Sequence, residues 1–362
     1  MALAPGQVLA QAAGEGLTEP RALPPFQADA PRCAAPEGRN RTLVFLQDNE
    51  REFMMGVQRG LAAAAKARGL AFERKLAAND PAAMNRQAEE ARAAAAGAVV
   101  VAPIDPTGLA PRLKALIADG TYVGAIVPPP AVSILNAPQF LTGSLLGEAA
   151  VQYIQAKLGG RARVVILTHD TNQYLAPRFA AMRQALKKLP GVVIVADISP
   201  STVDRAGGFA VMQKVLLANR RIDVVLGADT VVLGALDAAR AAGANRPEQF
   251  FGGIDGEPDA IAELRKRGEY KATVSLSSPV FAYAMGQHAA DWLEGRSIPQ
   301  AMDILPRLVT SETLAAFEAD ALAPDAVYAD PARRETYLRM YGNICAASRD
   351  RFINFPWSSE RK

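Results

Sequence analysis

Acidic side chains recur in this chain at the ends of short apolar runs, where a carboxylate could hold hydroxyl or amino groups. The clearest case is Asp255, inside Phe251-Gly252-Gly253-Ile254-Asp255-Gly256-Glu257-Pro258. That stretch reads as a strand, a carboxylate at its carboxyl end, a glycine turn and the start of a helix. In open α/β sheets ligands bind just outside the carboxyl ends of the strands. Asp255 is therefore expected to be a fixed acceptor there, and it can cap the following helix at the same time. Asp229 follows the run Val224-Val225-Leu226 and has the same two readings, a helix cap or a ligand acceptor. Asp48, Asn49 and Glu50 lie after the run Thr42 to Leu46, and acids there suit hydroxyl or ammonium donors, or simple capping and solvation. Asp170 and Asn172 occupy the corresponding loop after Val164 to Leu167. Ser275, Ser277 and Ser278 add a hydroxyl-rich strand end.

Catalytic chemistry finds little support. The two histidines, His169 and His288, fall on separate units, and His288 is expected inside a helix. There is no metal-ligand spacing, no glycine-rich phosphate loop and no nucleophile elbow. No enzyme, no cofactor and no metal are expected. The formal charge of +3 is too small to imply nucleic-acid binding. No run of 18 apolar residues occurs, so no segment reads as a membrane span.

The elements that must position these side chains repeat in a strand-then-helix rhythm. Residues 1–40 are rich in Ala, Pro and Gly without periodicity and read as a flexible arm, in which Ala10-Gln11-Ala12 weakly resembles a cleavage site. Thr42 to Leu46 is a continuous apolar run, as a buried parallel strand should be. Phe53, Val57 and Leu61 then recur at helical spacing. Strands follow at Ala71 to Glu73, Ala98 to Ala102 and Tyr122 to Val127, separated by helical patterns and stopped by Pro128-Pro129-Pro130. The pattern restarts with a helix over Leu145 to Leu158. It continues with strands at Val164 to Leu167, Val192 to Ala196, Val224 to Leu226, Gln249 to Ile254 and Ala272 to Ser275. Parallel strands with helical crossovers make a three-layer sandwich. At 362 residues, two such blocks suit two Rossmann-like α/β/α lobes with a cleft between the carboxyl ends of their sheets.

Cys33 and Cys345 stand near opposite ends of the chain. They read either as two unrelated thiols or as a disulfide that ties an N-terminal arm to a C-terminal extension. The second reading implies an oxidising compartment such as the periplasm.

Three pieces of sequence together resemble the type I periplasmic substrate-binding proteins, on the side of the ribose-binding proteins and the autoinducer-2 receptors. They are Asp48 to Phe53 ending in Gln58-Arg59-Gly60, Gly227-Ala228-Asp229 before Leu233-Gly234-Ala235, and Gly253 to Gly256 through Ala272-Thr273-Val274. The resemblance runs roughly from Arg41 to Thr313. It implies a fold of two lobes joined by a three-segment hinge, with crossings near Phe140–Thr142, Leu276–Ser278 and Ala301–Leu305. The lobes would comprise residues 41–140 with 277–302, and 141–276 with 303–317, leaving 318–362 as an extension longer than the ribose-type ending. It also implies site residues. Asp255 matches the acceptor of ligand hydroxyls, Arg178 falls where an arginine points into the cleft, and Phe53 where an aromatic ring meets a sugar face.

The departures from the ribose-type pattern are Val127-Pro128 in place of an Asp-Arg pair, Ala228 in place of Asn, and Leu276 in place of a polar hinge residue. An unpaired buried hydroxyl costs about 1–3 kcal/mol, so ribose itself is not expected as ligand. The implied function is capture of a small polar ligand, a sugar or polyol, by a monomer that closes its hinge and docks on the membrane permease of an ABC importer. A periplasmic subunit presenting its ligand to a sensor kinase is the alternative. A transcription regulator of the same architecture is disfavoured, because Met1 to Asn40 lacks a helix-turn-helix pattern.

Overall fold

A computed structural model describes residues 23–126, 130–170, 172–219, 221–355 and 357–360. The Ala10 to Ala12 feature and the Val127-Pro128 departure lie outside the described residues. The first lobe begins with β1 (Thr42–Gln47), α1 (Glu52–Ala67), β2 (Ala71–Leu76), α2 (Pro81–Ala93), β3 (Ala98–Val101), α3 (Pro106–Ala118), β4 (Tyr122–Ile126) and β5 (Ser133–Asn136). The second is built from α4 (Gln139–Lys157), β6 (Arg161–Leu167), α5 (Ala176–Leu186), β7 (Gly191–Ile198), α6 (Arg205–Ala218), β8 (Val224–Leu226), α7 (Asp229–Ala241), β9 (Phe250–Asp255), α8 (Pro258–Arg265) and β10 (Tyr270–Ser275). The chain then returns through α9 (Ser278–Leu293) and β11 (Ala301–Ile304), crosses to β12 (Arg307–Thr310), and ends with α10 (Leu314–Leu322), α11 (Pro324–Ala329), α12 (Pro331–Arg334) and β13 (Leu338–Tyr341).

Two sheets result. The first has the order β13-β11-β5-β4-β3-β1-β2, the second β12-β10-β9-β8-β6-β7. The strands of each sheet run parallel except at one edge, where β13 lies antiparallel to β11 and β12 antiparallel to β10. Leu43 to Gln47 of β1 are all buried, because helices cover both faces of a parallel sheet. The apolar run read from the sequence is the signature of that double burial.

The chain passes between lobes after β5, after β10 and after β11, and returns to the first lobe between β12 and β13. The sequence patterning contains no sign of β5, β11, β12 or β13, each only four residues long and close to the hinge or a sheet edge. β11 stays in the first sheet through Ile304, two residues beyond the expected boundary at 302. The helix expected from Leu145 begins at Gln139, directly after Pro138.

The extension is integrated with the first lobe. β13 adds a strand to the first sheet, Ile353 bridges to Ala131, and Trp357 is buried. Its last described residue, Glu360, accepts hydrogen bonds at its carboxylate from the Phe140 and Leu141 backbone N–H groups, at 3.2 and 2.8 Å. A tail anchored on one lobe thus supplies a negative charge to the N-terminus of α4 in the other, where orphan donors and the helix dipole favour it. Cys33 and Cys345 form a disulfide.

Candidate functional site

The carboxyl end of β9 sets the geometry. Asp255 adopts φ of 117°, followed by Gly256 at 72°. A non-glycine residue held in this region carries strain that the surrounding structure must impose, and such residues cluster at ligand sites. Asp255 is half-buried. Its pKa is pushed up to about 6, chiefly by burial, with the Arg178 charge opposing, the Glu257 charge adding and the Arg51 charge opposing.

Arg178 stands in the first turn of α5 and is 6% exposed. Its Nε donates to Gln139 Oε1 at 2.8 Å, so the first residue of α4 fixes the guanidinium plane. The two helices approach closely because Gly143 has no side chain; a Cβ there would strike the Arg178 carbonyl. Burial lowers the Arg178 pKa, and the nearby Asp255 and Tyr174 oppose that shift. A buried cation close to a half-buried carboxylate offers a ligand a donor fork and an acceptor together.

Asp229, readable as a helix cap or as a ligand acceptor, has its carboxylate engaged by protein donors. It is fully buried beneath Asp255. Its Oδ1 accepts from the Tyr270 hydroxyl at 2.6 Å and from the Thr273 hydroxyl at 2.8 Å, and its Oδ2 from the Glu257 N–H at 2.8 Å. Gly253 makes room for it, since a Cβ at that position would strike Oδ1. Burial raises its pKa to about 7, with the Asp255 charge adding to the effect. Its protein donors occupy both oxygens, so its role here is to brace the β9–α8 turn that carries Asp255. Asp229→Asn should therefore destabilise the fold by about 1–3 kcal/mol, because the new amide N–H faces the Glu257 N–H or the two hydroxyls. Denaturant unfolding checks this, with ligand affinity moving less than threefold; a tenfold loss of affinity at unchanged stability would make Asp229 a ligand contact.

On the first lobe, the segment after β1 carries Asp48, Asn49, Arg51 and Phe53; the Arg51 charge acts on Asp255. Asp48 accepts from the Asn49 N–H and from Asn49 Nδ2, both at 2.7 Å, and burial raises its pKa. Asn49 Oδ1 accepts from the Arg51 N–H at 3.0 Å. These bonds set the loop and use part of the polar capacity of Asp48 and Asn49. Glu50 turns outward: it is 58% exposed at its side chain and pairs with Arg74 at 2.7 Å. The expectation of Glu50 as a cleft acid is corrected by that ion pair. Phe53 packs 5.8 Å from the Phe281 ring and also lines a cavity with Asp255.

In the second lobe, Asp170 and Asn172 are exposed on the loop after β6, and Asn172 Oδ1 accepts from the Tyr174 N–H. Asn172 is thus spent partly on its own turn. Ser277 lies in the left-handed region at φ of 51°, and its hydroxyl is buried without a protein partner. The cavity beside it, about 510 Å³, is lined by Phe53, Asp255, Ser275, Ser277 and Ser278.

Several participants carried no readable signal. Gln139 acts through a contact 39 residues away in sequence. Asn136 donates to Asp303 at 2.7 Å, a buried pair between two hinge segments. Tyr174 donates to Asn136 at 3.4 Å. Arg51 was legible in principle as the one cation in Asp48 to Phe53; its charge acts on Asp48, His169 and Asp255. His169 itself is held below its usual pKa by burial and by Arg178 and Arg51, with Asp170 opposing. Among the described residues, no group of three or more His, Cys, Asp or Glu side chains could hold a metal ion.

Comparison with known proteins converges on one architecture. A model described as a periplasmic binding protein domain matches residues 43–297. The ribose import binding protein of Bacillus subtilis is 26% identical over 271 residues, covering 72% of this chain and 84% of that one. A myo-inositol binding protein from Caulobacter, solved with myo-inositol, superposes with a TM-score of 0.63 at 25% identity, covering 78% of this chain and 97% of that one. An ABC transporter solute binding protein from Bacillus halodurans, also with myo-inositol, gives a TM-score of 0.66 at 21% identity, covering 78% and 99%.

Proposed function

The chain belongs to the periplasmic binding protein family, and from that premise we propose that it captures a sugar or polyol in the periplasm and delivers it to the permease of an ABC importer. The observation that carries this reading is the nearness of Asp255 to buried Arg178 in the second lobe, with Arg51 and Phe53 of the first lobe also beside Asp255. Carboxylate and guanidinium together can accept from and donate to vicinal hydroxyls, while the Phe53 ring covers a C–H face. Closure of the two lobes about the hinge then presents one compact form to the membrane partner. The relatives that bind ribose, myo-inositol and, in another solved structure, D-allose define the ligand chemistry to try first.

The test is thermal unfolding of protein refolded free of ligand, against myo-inositol, D-allose, D-ribose and L-arabinose, with amino acids as controls. A ligand at 100 times its Kd adds about 2.7 kcal/mol, a rise of several degrees for lobes of this size. The expected result is a shift with one cyclitol or aldose and none with amino acids. A well-folded protein that responds to none of the polyols sinks the reading.

A further inference from the structure

The cavity between Asp255 and Phe53 does not end at the polar groups. It continues to Ile261 of α8 and to Phe317 and Leu322 of α10. α10 lies beyond the residues that match the family model, and it packs against α8 and α9. It therefore adds a wall that residues 43–297 do not supply. Leu322 is 87% exposed on that wall, and Phe317 is only partly covered by the second lobe's core. Ser277 also lines the cavity, and its hydroxyl is buried and has no protein partner. A buried hydroxyl left without a partner is costly, so Ser277 marks where a ligand hydroxyl belongs. The two cations that line the cavity are paired, Arg59 with Glu52 and Arg265 with Glu318, so neither is free to hold an anionic group at the apolar end.

Resting on the sugar or polyol reading above, we propose that the ligand is a hydroxylated ring with a neutral apolar substituent. The ring sits at Asp255 and Ser277, and the substituent lies against Ile261, Phe317 and Leu322. The cavity of about 510 Å³ falls in the range of small-molecule sites, which are mostly apolar with a few placed polar groups.

Calorimetric titration tests this with myo-inositol, D-allose and D-ribose, each beside its mono-O-benzyl positional isomers. The expected result is that at least one benzyl isomer binds tenfold or more tighter than its parent. In Leu322→Asp, which alters a side chain largely in solvent, that advantage should fall below threefold while the parent's affinity stays within twofold. A parent that binds with every benzyl isomer equal or weaker overturns the inference and leaves the proposed function standing. A benzyl advantage that survives Leu322→Asp and Phe317→Ser, in variants with native unfolding midpoints, overturns the α10 wall. Failure of every parent and every isomer to bind overturns the proposed function, and this inference with it.

Discussion

Asp255→Ala is expected to weaken ligand binding by roughly 10- to 100-fold, and Arg178→Ala by a similar amount. A hydrogen bond to a charged group contributes about 1.5–3 kcal/mol, and each 1.4 kcal/mol is a factor of ten in Kd. The two effects should not add. Arg178 opposes the rise in the Asp255 pKa, so its removal leaves a half-buried carboxylate that protonates more readily. One variant loses the acceptor, and the other loses the donor and weakens the acceptor. In a double variant the combined loss should fall short of the sum of the singles, the mark of groups that act together. Calorimetry on the two singles and the double checks this; unchanged affinity in both singles would remove the pair from the site.

The same carboxylates fix the sign of two pH effects. The folded pKa values of Asp255 and Asp229, about 6 and about 7, lie above the ordinary 3.8. Groups shifted upward contribute stability that is fully present below the unfolded value and is lost as pH rises through the folded value. Their contribution to the stability of the ligand-free protein should thus decline between pH 4 and 7. Affinity should run the other way, because a ligand hydroxyl donates to the ionised form of Asp255. Binding should strengthen from pH 5 to 7.5 and level off, and Asp255→Asn should flatten the profile.

What the sequence made legible follows from range. β1, β3, β8 and β9 were readable because a doubly covered parallel strand is apolar at nearly every position. The turn Asp255-Gly256 was readable because an acid and a glycine at a strand end have few structural alternatives. β5 and β13 were not, because four residues at a hinge or edge carry too little pattern to separate from loop. The site shows the same division. Asp255 could be read from its position at the end of a strand, whereas Phe53 was singled out only by the family resemblance. Asp229 could not be distinguished from Asp255, because only the fold shows that Tyr270 and Thr273 converge on one carboxylate and that Gly253 clears space for it. Glu50 failed for the complementary reason. Its Arg74 partner sits on the neighbouring strand β2, a pairing that local sequence does not reveal.

Loss of the Cys33–Cys345 bond should produce the largest change in stability. The bond closes a separation of 312 residues. In the chain-entropy model a loop that long stabilises by roughly 5 kcal/mol, while removal of native disulfides typically costs about 2–5 kcal/mol. The local setting favours a substantial loss. The Cys33 N–H donates to the Gly295 carbonyl, and Ile344 pairs with Ile298, so both cysteines are sewn to the end of α9. Cutting the bond frees the arm and the extension together, and β13, held by β11 on one side and by the arm itself at Pro25 on the other, should detach first. Denaturant unfolding of Cys33→Ser/Cys345→Ser, and of the native protein in dithiothreitol, should both show the drop, with the melting temperature lower by on the order of 10 °C. Ligand affinity should change little at temperatures where the variant is folded, because neither cysteine lines the cavity that holds Asp255. A loss below about 0.5 kcal/mol would mean that the arm and extension are held by their other contacts alone. A large loss of affinity without a loss of stability would mean that the extension governs closure of the lobes through Glu360 at the start of α4, rather than simply holding the first lobe together.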